Sequence, residues 1–466
     1  MQIWQVVVLT ILLMLVLLAT RMPVAFSLGA AGGVGLVLLQ GTDYATRTLG
    51  SVPFSTTATF TLTIIPMFVL MGMLAVRANI AENVFAVAHH FVRRAPGGLG
   101  VATVMACAGF SAVSGSSIGT AATMAKLSVE QMRQKGYPPA LATGIVAVAG
   151  TLGVMIPPST FLVLYAVMAS ESVAQMLAAG IVPGLLSALG YVVYIMVAGQ
   201  RQVSRDHEDL DGAIGEARSE LQDKKIVGRQ RAASDTVTAS RPRVRSLPWR
   251  GVAHVAILFL IVIGGMYTGL FTSTESAAIG ALAALVILAV ENRRQGLRAT
   301  IRHFRDALLD TAQATSMVFF VVIGSAILST FFVAAGVTQA ITEWVGELPL
   351  PPLAVMAILL VCLVPLGMFL ESMSILIITV PILVPIAAEF GFSGIWLGIM
   401  IVKFIEIGMV TPPVGILTFV VSGATGVKPE TVFRGVMPLL GIEAVTTTLL
   451  LLFPALTLFL PSLVAV

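Results

Sequence analysis

Long apolar runs recur along this chain and limit what it can fold into more than any other feature. A helix needs about 20 mostly apolar residues to cross the ~30 Å hydrocarbon core of a bilayer, and the N-terminal stretch IWQVVVLTILLMLVLLA is one of many such runs. Only 11% of the 466 residues are charged, whereas soluble domains carry about 25%. We therefore predict an all-α polytopic membrane protein.

The apolar runs divide into spans and two stretches of another kind. The predicted spans cover residues 3–20, 24–40, 61–78, 139–168, 176–198, 251–271, 274–290, 312–334, 395–424 and 436–460. Two further stretches, 98–134 and 350–388, are apolar but carry small or polar residues at their centres. Each follows an amphipathic segment, at 80–93 and 335–348, of the kind that lies along a membrane interface.

The positions of lysine and arginine predict the topology, because cytoplasmic loops are enriched in both. The first positive charge, Arg21, follows the first span, which predicts a retained helix rather than a signal peptide and a periplasmic N-terminus. Basic residues flank 98–134 on both sides, whereas acidic residues flank 350–388. Both stretches are therefore predicted to be re-entrant hairpins, the first opening to the cytoplasm and the second to the periplasm.

The charge pattern also divides the chain into repeats. Residues 200–250 form a hydrophilic insert that is predicted to be a solvated cytoplasmic loop. The flanking parts, 1–199 and 251–466, each contain three spans, a hairpin, a broken span and a final span. Five crossings are an odd number, so the second repeat is predicted to run inverted and the C-terminus to lie in the periplasm, as in secondary transporters.

The broken spans, 139–168 and 395–424, contain GVMIPPS at 153–159 and GMVTPPV at 408–414. Proline in a helix interior removes a backbone hydrogen bond and costs about 3 kcal/mol or more. Non-helical backbone at membrane depth persists only around a polar cavity enclosed by protein. A lone proline is often only a kink, but two matching copies favour functional breaks. Each break frees backbone carbonyls at the end of one half-helix and N–H groups at the start of the next. The carbonyls suit Na⁺, and the N-termini of the half-helices suit an anionic substrate.

The predicted hairpin tips carry hydroxyl groups and glycine that match this chemistry. The candidate sodium ligands are Ser114, Gly115, Ser116, Ser117, Gly150, Gly153, Val154, Pro157, Glu371, Ser372, Ser374, Gly408, Thr411 and Pro412. The candidate substrate contacts are Ser116, Ser117, Ser372 and Thr411.

Ionisable residues at membrane depth are functional candidates, because a charge in a bilayer is costly. Glu371, Lys403 and Glu406 are of this kind. Lys403 and Glu406 stand three residues apart, so a structural ion pair between them is an equally good interpretation. Glu275 is expected to cap a helix or to meet the interface.

Several other classes of function are not indicated. Cys107 and Cys362 lie in apolar segments and the histidines have no ligand spacing, so neither a disulfide framework nor a transition-metal site is predicted. The net charge of +4 gives no indication of nucleic-acid binding. The sequence GFSG at 391–394 has the form of an intramembrane serine protease site, but no histidine lies deep in a span to act as base for Ser393. A channel would need a continuous polar stripe on several spans, which the sequence does not show.

Six motifs give the chain a specific resemblance to a known family. It resembles the large membrane subunit, of the DctM type, of tripartite ATP-independent periplasmic (TRAP) transporters. The motifs are RMPVAFSLG (21–29), FSAVSGSSIGTAATM (110–124), KGYPPALATGIVAVAGTLGVMIPPS (135–159), GLFTSTESAAIGA (269–281), MFLESMSILIITVPI (368–382) and IEIGMVTPPVGI (405–416).

The resemblance implies a complete mechanism of transport. It implies an elevator-type carrier in the bacterial inner membrane that uses a sodium gradient to import an organic acid. Its expected partners are a small four-helix membrane subunit of the DctQ type and a periplasmic binding protein of the DctP type. The alternative is a stand-alone sodium–dicarboxylate carrier of similar two-hairpin architecture.

Overall fold

The computed structural model describes residues 2–20, 22–92, 95–199, 249–294, 296–346 and 349–464. Most residues in these ranges are helical, and the ranges contain no β-strand. The predicted topology marker Arg21 and nearly all of the predicted loop at 200–250 lie outside the described residues.

The helices of the first half are, in chain order, α1 (Ile3–Ala19), α2 (Val24–Gln40), α3 (Thr42–Thr57), α4 (Ile64–Arg77), α5 (Ile80–Val92), α6 (Gly98–Ser114), α7 (Ser117–Met124), α8 (Glu130–Gln134), α9 (Pro139–Gly150), α10 (Leu152–Met155), α11 (Thr160–Met168) and α12 (Val173–Tyr194). Those of the second half are α13 (Trp249–Phe259), α14 (Gly265–Tyr267), α15 (Ser273–Glu291), α16 (Leu297–Ala334), α17 (Val337–Gly346), α18 (Pro352–Val361), α19 (Leu363–Phe369), α20 (Ser372–Glu389), α21 (Gly394–Val410), α22 (Ile416–Thr425), α23 (Pro429–Leu452) and α24 (Ala455–Leu458).

The described helices are those of a multi-pass membrane protein. Within the described ranges, 8 helices are long and apolar enough to cross a bilayer, or up to 9 when the bent pair Pro139–Met155 and Thr160–Met168 counts as one span. The predicted spans at 3–20 and 24–40 correspond to α1 and α2, which have 17 residues each.

One helix is absent from the sequence prediction, and two predicted boundaries differ from those of the structure. Helix α3 was not predicted, because its residues are too polar on average to form an apolar run. Helix α16 begins at Leu297 and has 38 residues, so the segment before the predicted span at 312–334 is helix and not loop. The predicted span at 436–460 ends at Leu452 because Pro454 cannot continue the helix.

The helices pack in two groups. In the first group, α2 packs along α16, while α4 packs against both α15 and α16. In the second group, α9 packs along α23, and α21 packs against α19, α20 and α23. Helices α9 and α21 are buried on nearly every side, as expected for helices that are apolar all round. The core of the second group therefore surrounds the two helices that precede the Pro-Pro sequences.

Both predicted hairpins are helix–turn–helix units. The first turns between α6 and α7, and the second between α19 and α20. The amphipathic segments before them form α5 and α17. Glu275 completes a capping box with Thr272 at the start of α15, which confirms its predicted role as a cap.

Candidate functional site

The first hairpin turns at Gly115, whose left-handed backbone (φ 60°) favours glycine. Ser116 then caps α7, because its Oγ accepts a hydrogen bond from the Gly119 N–H at 3.3 Å. Across the turn the hydroxyl oxygens of Ser114 and Thr120 lie 2.7 Å apart. The first tip therefore gathers several hydroxyl groups around the turn at Gly115.

The break in the first broken helix follows α10. Pro157 and Pro158, joined by a cis peptide bond, have no N–H. The carbonyl groups four residues earlier, on Gly153 and Val154, therefore lack their usual helical donors. The break thus leaves two carbonyl oxygens able to accept other partners.

The first tip rests directly on this break. Thr160, the first residue of α11, donates from Oγ1 to the Gly115 carbonyl at 3.2 Å. A Cβ added to Gly115 would lie 3.1 Å from the carbonyl oxygen of Pro158, and one added to Gly153 would collide with the backbone of Ser116. The two glycines therefore permit the close approach of turn and break.

The second hairpin turns at Glu371, which caps α20 by accepting a hydrogen bond from the Ser374 N–H at 3.3 Å. Ser372 and Ser374 are both buried. Glu371 and Ser374 also line a cavity of about 490 Å³ whose other walls include Phe26 of α2 and Phe320 of α16. This cavity lies where the two helix groups meet.

The second broken helix repeats the chemistry of the first. Pro412 and Pro413, again joined by a cis bond, remove the usual donors for the carbonyls of Gly408 and Met409. The Gly408 carbonyl accepts instead from the Thr411 N–H at 3.1 Å. The second hairpin approaches closely here too, because the Sδ of Met409 accepts a hydrogen bond from the hydroxyl of Ser372.

One buried carboxylate joins the two tips. Glu406 of α21 is 4% exposed. Its Oε2 accepts from the Ser117 hydroxyl at 2.8 Å, and its Oε1 accepts from the Ser372 hydroxyl at 3.4 Å. Ser117 and Ser372 are the first residues of α7 and α20, so the carboxylate lies at the positive ends of two helices.

The alternative interpretation of Lys403 and Glu406, a structural ion pair between the two, is wrong. The Lys403 ammonium pairs with Glu443 of α23 and donates to the Ser187 hydroxyl of α12 at 2.8 Å. Helical spacing places Lys403 and Glu406 on neighbouring faces of α21, but the partner of each is set by the helices packed across from it.

Glu443 is the centre of a buried network that sequence reasoning missed. Besides Lys403, it accepts from the Tyr191 hydroxyl and from Thr446 Oγ1, the latter at 3.1 Å. Its lone carboxylate inside the predicted span at 436–460 was an available signal, since buried charges in a bilayer need partners.

The predicted ligands divide by position. Most lie at one of the two contacts between tip and break; Gly150 is set back, where a Cβ would lie 2.7 Å from the Cβ of Ala121 in α7. The Thr411 hydroxyl donates to the Ile407 carbonyl of its own helix at 2.6 Å. Glu406, which was a functional candidate but not a predicted sodium ligand, is the residue that brings the two tips together.

Comparison with known proteins agrees with this architecture. The family described as "Tripartite ATP-independent periplasmic transporter, DctM component" matches residues 11–456. The C4-dicarboxylate TRAP transporter large permease protein DctM of Pseudomonas aeruginosa is 32% identical over 94% of this chain and 94% of its own length. The sialic acid TRAP transporter large permease protein SiaM of Vibrio cholerae is 30% identical over 96% of each chain.

A solved structure shares the fold at low sequence identity. The YdaH transporter of Alcanivorax borkumensis superposes with a TM-score of 0.61 at 16% identity, covering 96% of this chain and 98% of that one. The match over nearly the whole chain, together with two relatives at about one-third identity, identifies the family. This chain belongs to the DctM component family of tripartite ATP-independent periplasmic transporters.

Proposed function

We propose that this chain is the large permease subunit of a sodium-coupled tripartite transporter that imports an organic acid. The observation that carries the proposal is the meeting of both hairpin tips at one buried carboxylate. Ser117 of the first tip and Ser372 of the second both donate to Glu406. Lys403, three residues before Glu406, forms a separate buried ion pair with Glu443. Such convergence of hydroxyls, broken helices and charge at membrane depth is typical of ion-coupled transporters.

Sodium is proposed to bind at the two contacts between tip and break. The first would use the hydroxyls and turn backbone at 114–117 with the carbonyls at 150–157. The second would use residues 371–374 with 408–412. Carboxylate, hydroxyl and carbonyl oxygens are hard ligands that suit Na⁺, and the prolines remove the usual helical donors of the carbonyls four residues earlier.

The substrate is proposed to be a carboxylate. The relatives named above are described as carriers of C4-dicarboxylates and of sialic acid, which are all carboxylic acids. The N-termini of α7 and α20 favour a negative group. The cavity of about 490 Å³ between Phe320 and Glu371 lies beside the second of these termini and has the size of a small-molecule site.

The two helix groups suggest how the substrate would cross. Residues 1–199 and 251–466 are proposed to be inverted repeats, each with a re-entrant hairpin, separated by a cytoplasmic loop at 200–250. One spacing along the chain relates Ser117 to Ser372 and Pro157 to Pro412, which supports the repeat. The group that carries both tips would move as an elevator against the group built on α2, α4 and α16.

The remaining parts of the proposal concern partners and location. The chain would lie in the bacterial inner membrane with both termini in the periplasm. It would work with a small DctQ-type membrane subunit and a DctP-type binding protein that delivers the acid. The competing proposal is a stand-alone sodium–dicarboxylate carrier.

Reconstitution separates these proposals. Proteoliposomes would contain this chain with or without its small subunit, and uptake of radiolabelled acids would be measured with and without the binding protein. The acids would be chosen by thermal-shift screening of that binding protein. We expect uptake only with all three components. Robust uptake by this chain alone would favour the stand-alone carrier.

A further inference from the structure

Glu406 has no counterpart in the first broken helix. The spacing that relates Pro157 to Pro412 also relates Thr151 to Glu406. The Thr151 hydroxyl donates to the Val148 carbonyl of its own segment at 2.7 Å. The two broken helices therefore contain a single carboxylate between them, and both tips bond to it.

Among the described residues, no hydrogen bond or ion pair joins this carboxylate to a charged side chain. Lys403, one turn away on α21, is committed to Glu443 and Ser187. The groups that donate hydrogen bonds to Glu406 are the hydroxyls of Ser117 and Ser372, at the positive ends of α7 and α20. The carboxylate of Glu371, which caps α20, is a nearby like charge. Helix termini of this kind favour an ionised carboxylate.

An ionised carboxylate can only accept hydrogen bonds, whereas a hydroxyl has one proton to donate and two lone pairs. Ser117 donates its proton to Glu406 Oε2, and Ser372 shares its proton between Glu406 Oε1 and Met409 Sδ. The hydroxyl oxygen of each serine therefore keeps its lone pairs for another partner. A cation bound at either tip would then meet lone pairs, not a proton. It would also lie close to the negative charge of Glu406.

We propose that Glu406 is a shared counter-charge and positioning residue for the cations at both hairpin tips. One carboxylate takes the protons of Ser117 and Ser372 and supplies negative charge to both sites. The inference rests on the proposed sodium coupling and goes beyond it, because it assigns both ions to one residue outside the tips.

The test is ²²Na⁺ binding to the purified chain, measured as full isotherms without substrate. Removing one hydroxyl, in Ser117→Ala, should weaken one ion about five-fold and broaden the isotherm, since a lost neutral hydrogen bond or ligand is worth roughly a five-fold change. Glu406→Gln, of equal size but neutral, should shift the whole isotherm by at least about ten-fold, as charged partners contribute more than neutral ones. Glu275→Gln, at the cap of α15, is the matched control and should bind like the wild type.

Glu406→Asp separates a charge role from a packing role. Asp keeps the charge but is one methylene shorter, so the charge role predicts tighter sodium binding by Glu406→Asp than by Glu406→Gln. A packing role predicts the reverse order, because Gln fills the same volume. The same comparison holds if Glu406→Gln is recovered in low yield, since each isotherm is normalised to folded protein from gel filtration.

Three results would overturn the inference alone. The first is a wild-type-like isotherm for Glu406→Gln, and the second is an isotherm in which Glu406→Gln weakens only one of two ions. The third is tighter sodium binding by Glu406→Gln than by Glu406→Asp. Absence of saturable ²²Na⁺ binding by the wild type would instead overturn the proposed sodium coupling, and the inference with it.

Discussion

Removing one member of the buried pair Lys403–Glu443 should destabilise the protein far more than removing both charges. Both side chains are 4% exposed, and the lysine has Ser187 as its other partner. Lys403→Met leaves the Glu443 carboxylate buried without a cation, and Glu443→Gln leaves the ammonium without an anion. Breaking a buried pair in this way costs about 3–5 kcal/mol in free energy of unfolding.

The double variant Lys403→Met/Glu443→Gln should recover most of that loss. It removes both charges, and the amide oxygen of Gln at 443 still accepts from Tyr191 and Thr446, which donate to Glu443 in the wild type. We expect a residual cost of about 1–2 kcal/mol for the lost hydrogen bonds. The sum of the two single variants, about 6–10 kcal/mol, should therefore exceed the double variant by at least about 4 kcal/mol.

Unfolding by sodium dodecyl sulfate in mixed micelles measures this cycle. Tryptophan fluorescence is a suitable signal, because buried Trp396 of α21 donates to the Leu450 carbonyl of α23 at 3.1 Å and so reports on the same helix contact. Additive effects, with the double variant as unstable as the sum of the singles, would refute the buried pair.

Three further predictions concern the tips, the breaks and the topology. Ser372→Ala removes a hydrogen bond to Glu406 and should raise the sodium concentration for half-maximal uptake about five-fold. Ser116→Ala removes the hydroxyl that caps α7 and should change that concentration less. Sodium titrations of uptake compare the two variants. Pro412→Ala should let the helix close over the break and abolish uptake. Gly153→Ala should also abolish uptake, because its methyl group pushes the first tip away. Uptake normalised to membrane expression tests both variants, and retained uptake contradicts the role of the breaks. Lys225→Cys, in a background without native cysteines, should resist an impermeant maleimide in intact spheroplasts and react after permeabilisation; labelling without permeabilisation would place that loop in the periplasm.

The helices that are apolar along their whole length could be predicted from the sequence, because the bilayer requires such runs. The interruptions at Pro157 and Pro412 were predicted for the same reason, since proline lacks the N–H that a helix needs. Helix α3 could not be found in this way, because its stability comes from packing against α2 and α16 and not from an apolar run.

The partners of the charged residues were the least predictable part of the site. The sequence places Lys403 and Glu406 three residues apart and so suggests that they pair. The fold gives each a different partner, because α23 brings Glu443 to Lys403 while the two hairpins bring Ser117 and Ser372 to Glu406. Contacts between segments so distant along the chain depend on tertiary packing, which helical periodicity does not encode.

The central claim is that a sodium gradient drives uptake of an organic acid through this protein. The direct measurement uses proteoliposomes that contain the full tripartite system and an acid bound by its binding protein. An inward sodium gradient is imposed at equal pH on both sides, and in parallel an inward proton gradient is imposed at equal sodium. Accumulation under the sodium gradient, rising sigmoidally with external sodium because at least two ions bind, is the predicted result. Accumulation that ignores sodium, follows the proton gradient and collapses with an uncoupler would contradict the claim.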